Sequence, residues 1–170
     1  MAGSNSDVNV TFISDEVAAD PNGFSASAQV ANNAALTLGG ALASGGSVTL
    51  GSARTVSITS GGNDSGISFN VVGTDLDGVS LTENITGGNA GAVTGSSFFK
   101  TIVSITAVGD PAGTVLAGTT GVAADIIFGG RTRLKGYSIV SGGTAGVIEF
   151  VNGEPNGGGT TLFKARTIGT

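Results

Sequence analysis

The chain has 170 residues, a net charge of −5, no histidine and no cysteine, which leaves no thiolate or imidazole for metal binding or nucleophilic catalysis and no disulfide. Charged residues make up only 11% of it and glycine 31 of 170 positions, against the roughly 25% and ~7% usual in soluble domains. The acidic balance argues against a nucleic-acid surface, which needs clustered basic residues to neutralise phosphates, and no apolar run reaches the about 18 residues of a membrane span.

The opening Met1–Asp7 has neither the basic nor the apolar region of a secretory leader, which predicts a protein made and used in a cytoplasm. Residues 1–33 are read as an extended N-terminal arm. Val8–Ile13 alternates as a strand does, and Asp20-Pro21-Asn22-Gly23 then reads as a turn. The arm is acidic, with Asp7, Asp15, Glu16 and Asp20, and no basic residue precedes Arg54. Arg131, Arg133, Lys135, Lys164 and Arg166 gather near the other end. Such a front and tail either meet head to tail between neighbouring subunits or simply face solvent.

Residues 34–129 read as an antiparallel β-sandwich or barrel, with short strand-like runs between glycine-rich turns. Ala35–Leu38 and Ser47–Leu50 are two such runs. Arg54–Thr59 alternates strictly, which predicts Val56 and Ile58 inward and Thr55, Ser57 and Thr59 outward. Ile67–Val71 and Ser80–Ile85 flank Asp75-Leu76-Asp77-Gly78, a strong hairpin-turn signal. Phe98–Ile102 and Ser104–Val108 form a strand or a bulged pair, and Thr114–Leu116 and Ile126–Phe128 follow. Gly129-Gly130 is the best internal boundary. After it, residues 130–170 carry three strand-like runs, Arg133–Val140, Gly146–Val151 and Thr161–Arg166. So short a module cannot close a core of its own and must pack on the first domain, on a partner or on further chain. The overall expectation is all-β, with a short second β module and no sustained helical periodicity.

Two stretches carry a resemblance. Arg54–Phe69 (RTVSITSGGNDSGISF) continues into Val72–Gly91 (VGTDLDGVSLTENITGGNAG) and Phe99–Ile102. It resembles a β module of virion structural proteins of tailed bacteriophages, marine podovirus-like ones especially. Leu134–Tyr137, Gly142–Gly146 and Gly158–Leu162 resemble a second, repeat-like module of the same kind of protein. Together they span roughly residues 45–168. The resemblance implies a capsid or tail component assembled in the host cytoplasm and located in the virion. It carries over no catalytic residue. Its implied partners are the major capsid protein or other virion proteins and copies of the chain itself, as a homo-oligomer and by analogy a trimer.

The candidate sites are few. Asp75 and Asp77 have the opening spacing of a calcium loop, but the twelfth position, where a bidentate Glu belongs, is Thr86. Asp75, Asp77 and Gly78 therefore read as a structural turn, as does Asp64 beside Asn63. A serine nucleophile would need a base that this histidine-free chain does not supply. Gly157–Thr160 lacks the Gly-Lys-Ser/Thr ending of a phosphate loop. These absences predict a non-enzyme with no cofactor and no metal. Arg54 and Glu83 are isolated charges that either pair across a sheet or lie at its rim. Phe98 and Phe99 are adjacent, so on a strand one fills the core while the other faces out to anchor a partner, unless both faces are buried. Phe12, Phe98, Phe99, Arg131, Arg133 and Lys135 are the candidate interface. The function they suggest is a capsid decoration or cement protein, with a tail or fibre component for host attachment as the alternative.

Overall fold

The structure is a computed structural model that describes residues 18–127, 134–139, 146–153, 155–157 and 159–167. Its organising element is β3 (Ser47–Ser60), one 14-residue strand where two short runs were expected. The first half of β3 pairs with β7 (Phe99–Val108), Val48 lying opposite Ile102. A register shift between Thr49 and Arg54 then turns the strand away. Its second half pairs with β8 (Thr114–Ala124) on one side and with β6 (Ala92–Thr94) on the other. β2 (Ala43–Ser44) hooks onto its start.

The path then runs outward in both directions. β4 (Ser68–Thr74) pairs with β7, and β5 (Ser80–Thr86) pairs with β4. β1 (Asp20–Gln29) closes the other side against β8. The result is an eight-stranded antiparallel sheet ordered β1-β8-β3-β7-β4-β5, with β2 and β6 beside β3. Phe24 on β1, Phe69 on β4 and Phe99 on β7 are all 0% exposed and belong to one core cluster. No helix lies among the described residues to cover them, so the two halves of the sheet cover each other, with β3 running through both. This is the all-β architecture expected.

Several expectations need correction. Asp20–Gly23 is not a turn in an arm: it is the beginning of β1, and the large sheet starts at Asp20 rather than at residue 34. Pro21 is tolerated there because β1 is an edge strand, where one row of N–H groups needs no partner. Ala35–Leu38 is not a regular strand, although Leu36 and Leu38 are buried as its alternation required. Its backbone takes over β7 where β3 departs, with Leu36 N–H bonded to the Ile105 carbonyl at 2.8 Å and Ala107 N–H to Ala34 at 2.9 Å. Of the two readings given for this stretch, the single strand holds: Phe99–Val108 is one strand, bulged at Val103, because Val72 lies opposite Ser104 and Gly73 opposite Ile102. Ile126 and Ile127 lie beyond the end of β8.

Val56 and Ile58 are fully buried as predicted, but Thr55 and Ser57 are buried too. The Thr55 hydroxyl shares a 2.5 Å hydrogen bond with that of Thr120, which offsets the cost of withdrawing it from water. The second module is a two-stranded sheet of β9 (Gly146–Asn152) and β10 (Thr160–Thr167). Leu134–Ile139, expected as part of a third strand, is not one. The Val8–Ile13 strand, Phe128 and the Gly129-Gly130 boundary lie outside the described residues.

Candidate functional site

One coherent surface is the outer face of β5, β4 and β7. Strand alternation turns Phe69, Val71 and Ile85 inward and the intervening residues outward. Ladder register then sets them in rows: Thr86, Ser68 and Val108; Asn84, Asn70 and Thr106; Thr82, Val72 and Ser104; Ser80, Thr74 and Thr101. None of these positions is charged. The face is stiffened by direct side-chain bonds, Asn70 Nδ2 to Asn84 Oδ1 at 2.8 Å and Thr74 to Thr101 at 2.7 Å between hydroxyls. It offers short hydroxyl, amide and methyl groups, which lose little rotamer entropy when covered.

The charges bordering this face are occupied. Glu83 points inward from β5 and accepts from the backbone N–H of Ser96 at 2.6 Å and of Ser97 at 3.3 Å, tying β5 to the loop after β6. Arg54 is 3% exposed and donates to the Thr120 carbonyl at 3.4 Å. Glu83 and Arg54 thus each bond backbone groups, those of Ser96 and Ser97 and that of Thr120. Lys100 donates to the Gly51 carbonyl.

Two aspartates organise turns. Asp75 Oδ1 accepts from the N–H groups of Asp77 at 3.0 Å and Val79 at 2.9 Å, and Gly78 takes φ +79°, a conformation that favours glycine. Asp64 is buried at 1% exposure and ties three turns together. Its N–H donates to Gly88 and its carbonyl accepts from Ile67. Its Oδ1 accepts from Ala112 N–H at 2.7 Å. Among the described residues no three Asp or Glu side chains gather as a cation site would need.

Of the candidate interface residues, Phe99 is wholly in the core. Phe98 is half-buried rather than an exposed anchor. Both of its backbone groups are taken by one side chain: Phe98 N–H donates to Asn156 Oδ1 at 2.7 Å, and Asn156 Nδ2 donates to the Phe98 carbonyl at 3.0 Å. The Asn156 amide thus imitates a neighbouring strand's peptide and fastens the second module to the start of β7. Lys135 is exposed, while Phe12, Arg131 and Arg133 lie outside the described residues. Asn156→Ala should release this clasp and raise hydrogen exchange at the Phe98 amide, with the exchange of β4 unchanged.

The second surface is the β9–β10 hairpin. Phe150 and Phe163 stack at 4.3 Å between ring centroids, and Tyr137, 56% exposed, lies over both at 5.4 and 5.6 Å. On β9, Glu149 accepts from the Thr161 hydroxyl and pairs with Lys164 at 3.1 Å. The Thr161 bond and then Lys164 hold the Glu149 carboxyl below its ordinary 4.5. A depressed folded pKa gives stability that is complete above the unfolded value and is lost as pH falls through the folded one. Acidification below pH 4.5 should therefore loosen the hairpin first, read as early loss of amide protection in β9 and β10. Thr161→Val should move that loss to higher pH.

Sequence reading missed both Asn156 and the aromatic cluster. Asn156 sits in a glycine-rich turn with no local signal of a distant partner. Phe150 and Phe163 are separated by a loop, and only the register of the hairpin brings them together. Comparison with known proteins adds nothing to this picture: no protein-family profile, no curated protein and no solved structure matches the chain.

Proposed function

We propose that this chain is a non-enzymatic structural module of a tailed-phage virion, a capsid decoration or cement protein that packs across joints between capsid subunits. The observation that carries the reading is the uncharged outer face of β5, β4 and β7. A protein surface kept in water is ordinarily rich in interspersed charge. A face without any is suited to being covered, because no ion has to be desolvated when a partner closes over it. The resemblance of Arg54–Gly91 to virion β modules points the same way. At ~25 cal/mol per Å² of apolar area, an interface of about 1,600 Å² supplies ample gross stabilisation, and repetition over many lattice sites adds avidity.

One observation favours a second reading, a tail or fibre component that touches the host surface. Tyr137 presents an exposed ring on an aromatic stack, the kind of platform a surface ligand can lie against. Copy number in purified virions separates the two. A ratio to the major capsid protein near one, or near a simple fraction such as one third, supports capsid covering. A ratio of a few per hundred overturns it in favour of the tail.

A further inference from the structure

We infer that Asn156 is a site of spontaneous covalent modification, deamidation through attack by the Gly157 backbone nitrogen, and that its conversion permanently opens the clasp on Phe98. The inference goes beyond the virion reading and does not rest on it. An asparagine followed by glycine is open to this reaction because no Cβ on the next residue shields the attacking nitrogen or restricts the backbone that must bend to meet it. Three positions have that sequence: Asn22-Gly23, Asn152-Gly153 and Asn156-Gly157. The fold separates them. Asn22 lies within β1, which pairs with β8, and a Cβ at Gly23 would collide with the Asp20 and Leu42 side chains. Asn152 is the last residue of β9 and stands opposite Thr160 in the ladder. Strand pairing holds the backbone extended, and ring closure at either position must break that pairing first. Asn156 and Gly157 are exposed and lie in the turn between β9 and β10, outside the ladder.

The clasp restrains Asn156 by two hydrogen bonds at an exposed side chain, a contact that opens locally more readily than a sheet ladder. One of the two also aids the chemistry. The Phe98 N–H, 2.7 Å from Asn156 Oδ1, is aimed at the oxygen on which negative charge builds as the carbonyl carbon is attacked. The Gly157 nitrogen gives its proton to solvent and bonds to Asn156 Cγ. The Cγ–Nδ2 bond breaks and ammonia leaves. Water then opens the succinimide at either carbonyl, giving isoaspartate in excess over aspartate. The net change is one water gained and one ammonia lost, with a new carboxylate on a chain whose net charge is −5. Neither product can donate to the Phe98 carbonyl, because a carboxylate only accepts. Isoaspartate also lengthens the backbone by one carbon and shortens the side chain by one, so it no longer spans both backbone groups of Phe98. The clasp therefore opens and recloses while the amide lasts and stays open once it is lost.

The test is peptide mapping of the whole folded chain aged in mildly alkaline buffer, with cleavage after Glu154 to part Asn152 from Asn156. The Asn156 peptide should gain about 1 Da and split into two isomers. Its conversion should run about tenfold faster than at Asn22 or Asn152, whereas in urea the three should convert at similar rates. Gly157→Ala, whose methyl group crowds the attacking nitrogen, should slow Asn156 about tenfold. Hydrogen exchange on the aged wild type should then resolve two populations at the Phe98 amide, slow in chains that keep Asn156 and fast in isoaspartyl chains, with β4 alike in both. Folded protein in which Asn156 converts no faster than Asn22 or Asn152 overturns the inference. So does a Gly157→Ala chain that converts at the wild-type rate, or isoaspartyl protein whose Phe98 amide stays protected. Should Gly157→Ala fail to fold, the comparison of the three sites in the wild type decides on its own.

Discussion

Phe69→Ala should lower the free energy of unfolding by about 3–5 kcal/mol, the cost of deleting a buried aromatic ring and leaving its cavity. Phe69 is 0% exposed and stands on β4 between Ile85 of β5 and Ala107 of β7, its partners in the two ladders. With few aromatics in the chain and no tryptophan, the core is built largely from small aliphatic side chains that cannot swing into so large a void. Urea unfolding followed by circular dichroism measures the loss. Val79→Ala, at a side chain 60% exposed, serves as the control and should stay within about 0.5 kcal/mol of wild type.

Gly73→Val should be nearly as damaging by the opposite route. A Cβ at Gly73 would run into the Thr101 carbonyl and crowd the Ile102 backbone. These atoms belong to the bulged stretch of β7 that the ladder holds in place. Relief requires β4 and β7 to separate, so the expected cost is about 1–3 kcal/mol or more, with the Thr74–Thr101 hydrogen bond lost as well. Gly121, which has no atom within 4 Å of an added Cβ, should accept alanine without measurable loss. A Gly73→Val protein with the wild-type urea midpoint would show that the two strands yield more easily than their packing implies.

The sequence made the alternating strands legible wherever one face was to be buried. Val56, Ile58, Phe69 and Val71 sit in the core as their spacing required, and the Asp75–Gly78 turn was plain because glycine at positive φ has a local cause. Strand ends were harder. Asp20-Pro21-Asn22-Gly23 has turn chemistry, but at a sheet edge proline and register shifts are admissible, and pairing with β8 outweighs local preference. Polar alternation at Thr55 and Ser57 misled for a related reason: a hydroxyl can be buried once a partner such as Thr120 is found far along the chain. The candidate site was less legible than the fold. Strand geometry left the burial of Phe98 beside Phe99 open between an outward ring and a strand buried on both faces, and the clasp of Asn156 on Phe98 depends on tertiary placement alone.

The passage of β3 through both halves of the sheet bears on how the chain comes into being. Its later half is completed on one side only by β8, and Thr55 and Thr120 are 65 residues apart in sequence. Asp20 waits longer still, bonding Thr119 across 99 residues. Neither half can therefore mature as an independent nucleus, and folding should be slow and all-or-none, in the millisecond-to-second range typical of β topologies dominated by distant pairings. On the ribosome, β1 stays unpaired, and the later half of β3 lacks one of its two neighbours, until β8 has emerged. Their apolar faces are bare during that interval, and the scarcity of charge that suits the finished surface offers them little protection from neighbouring nascent chains.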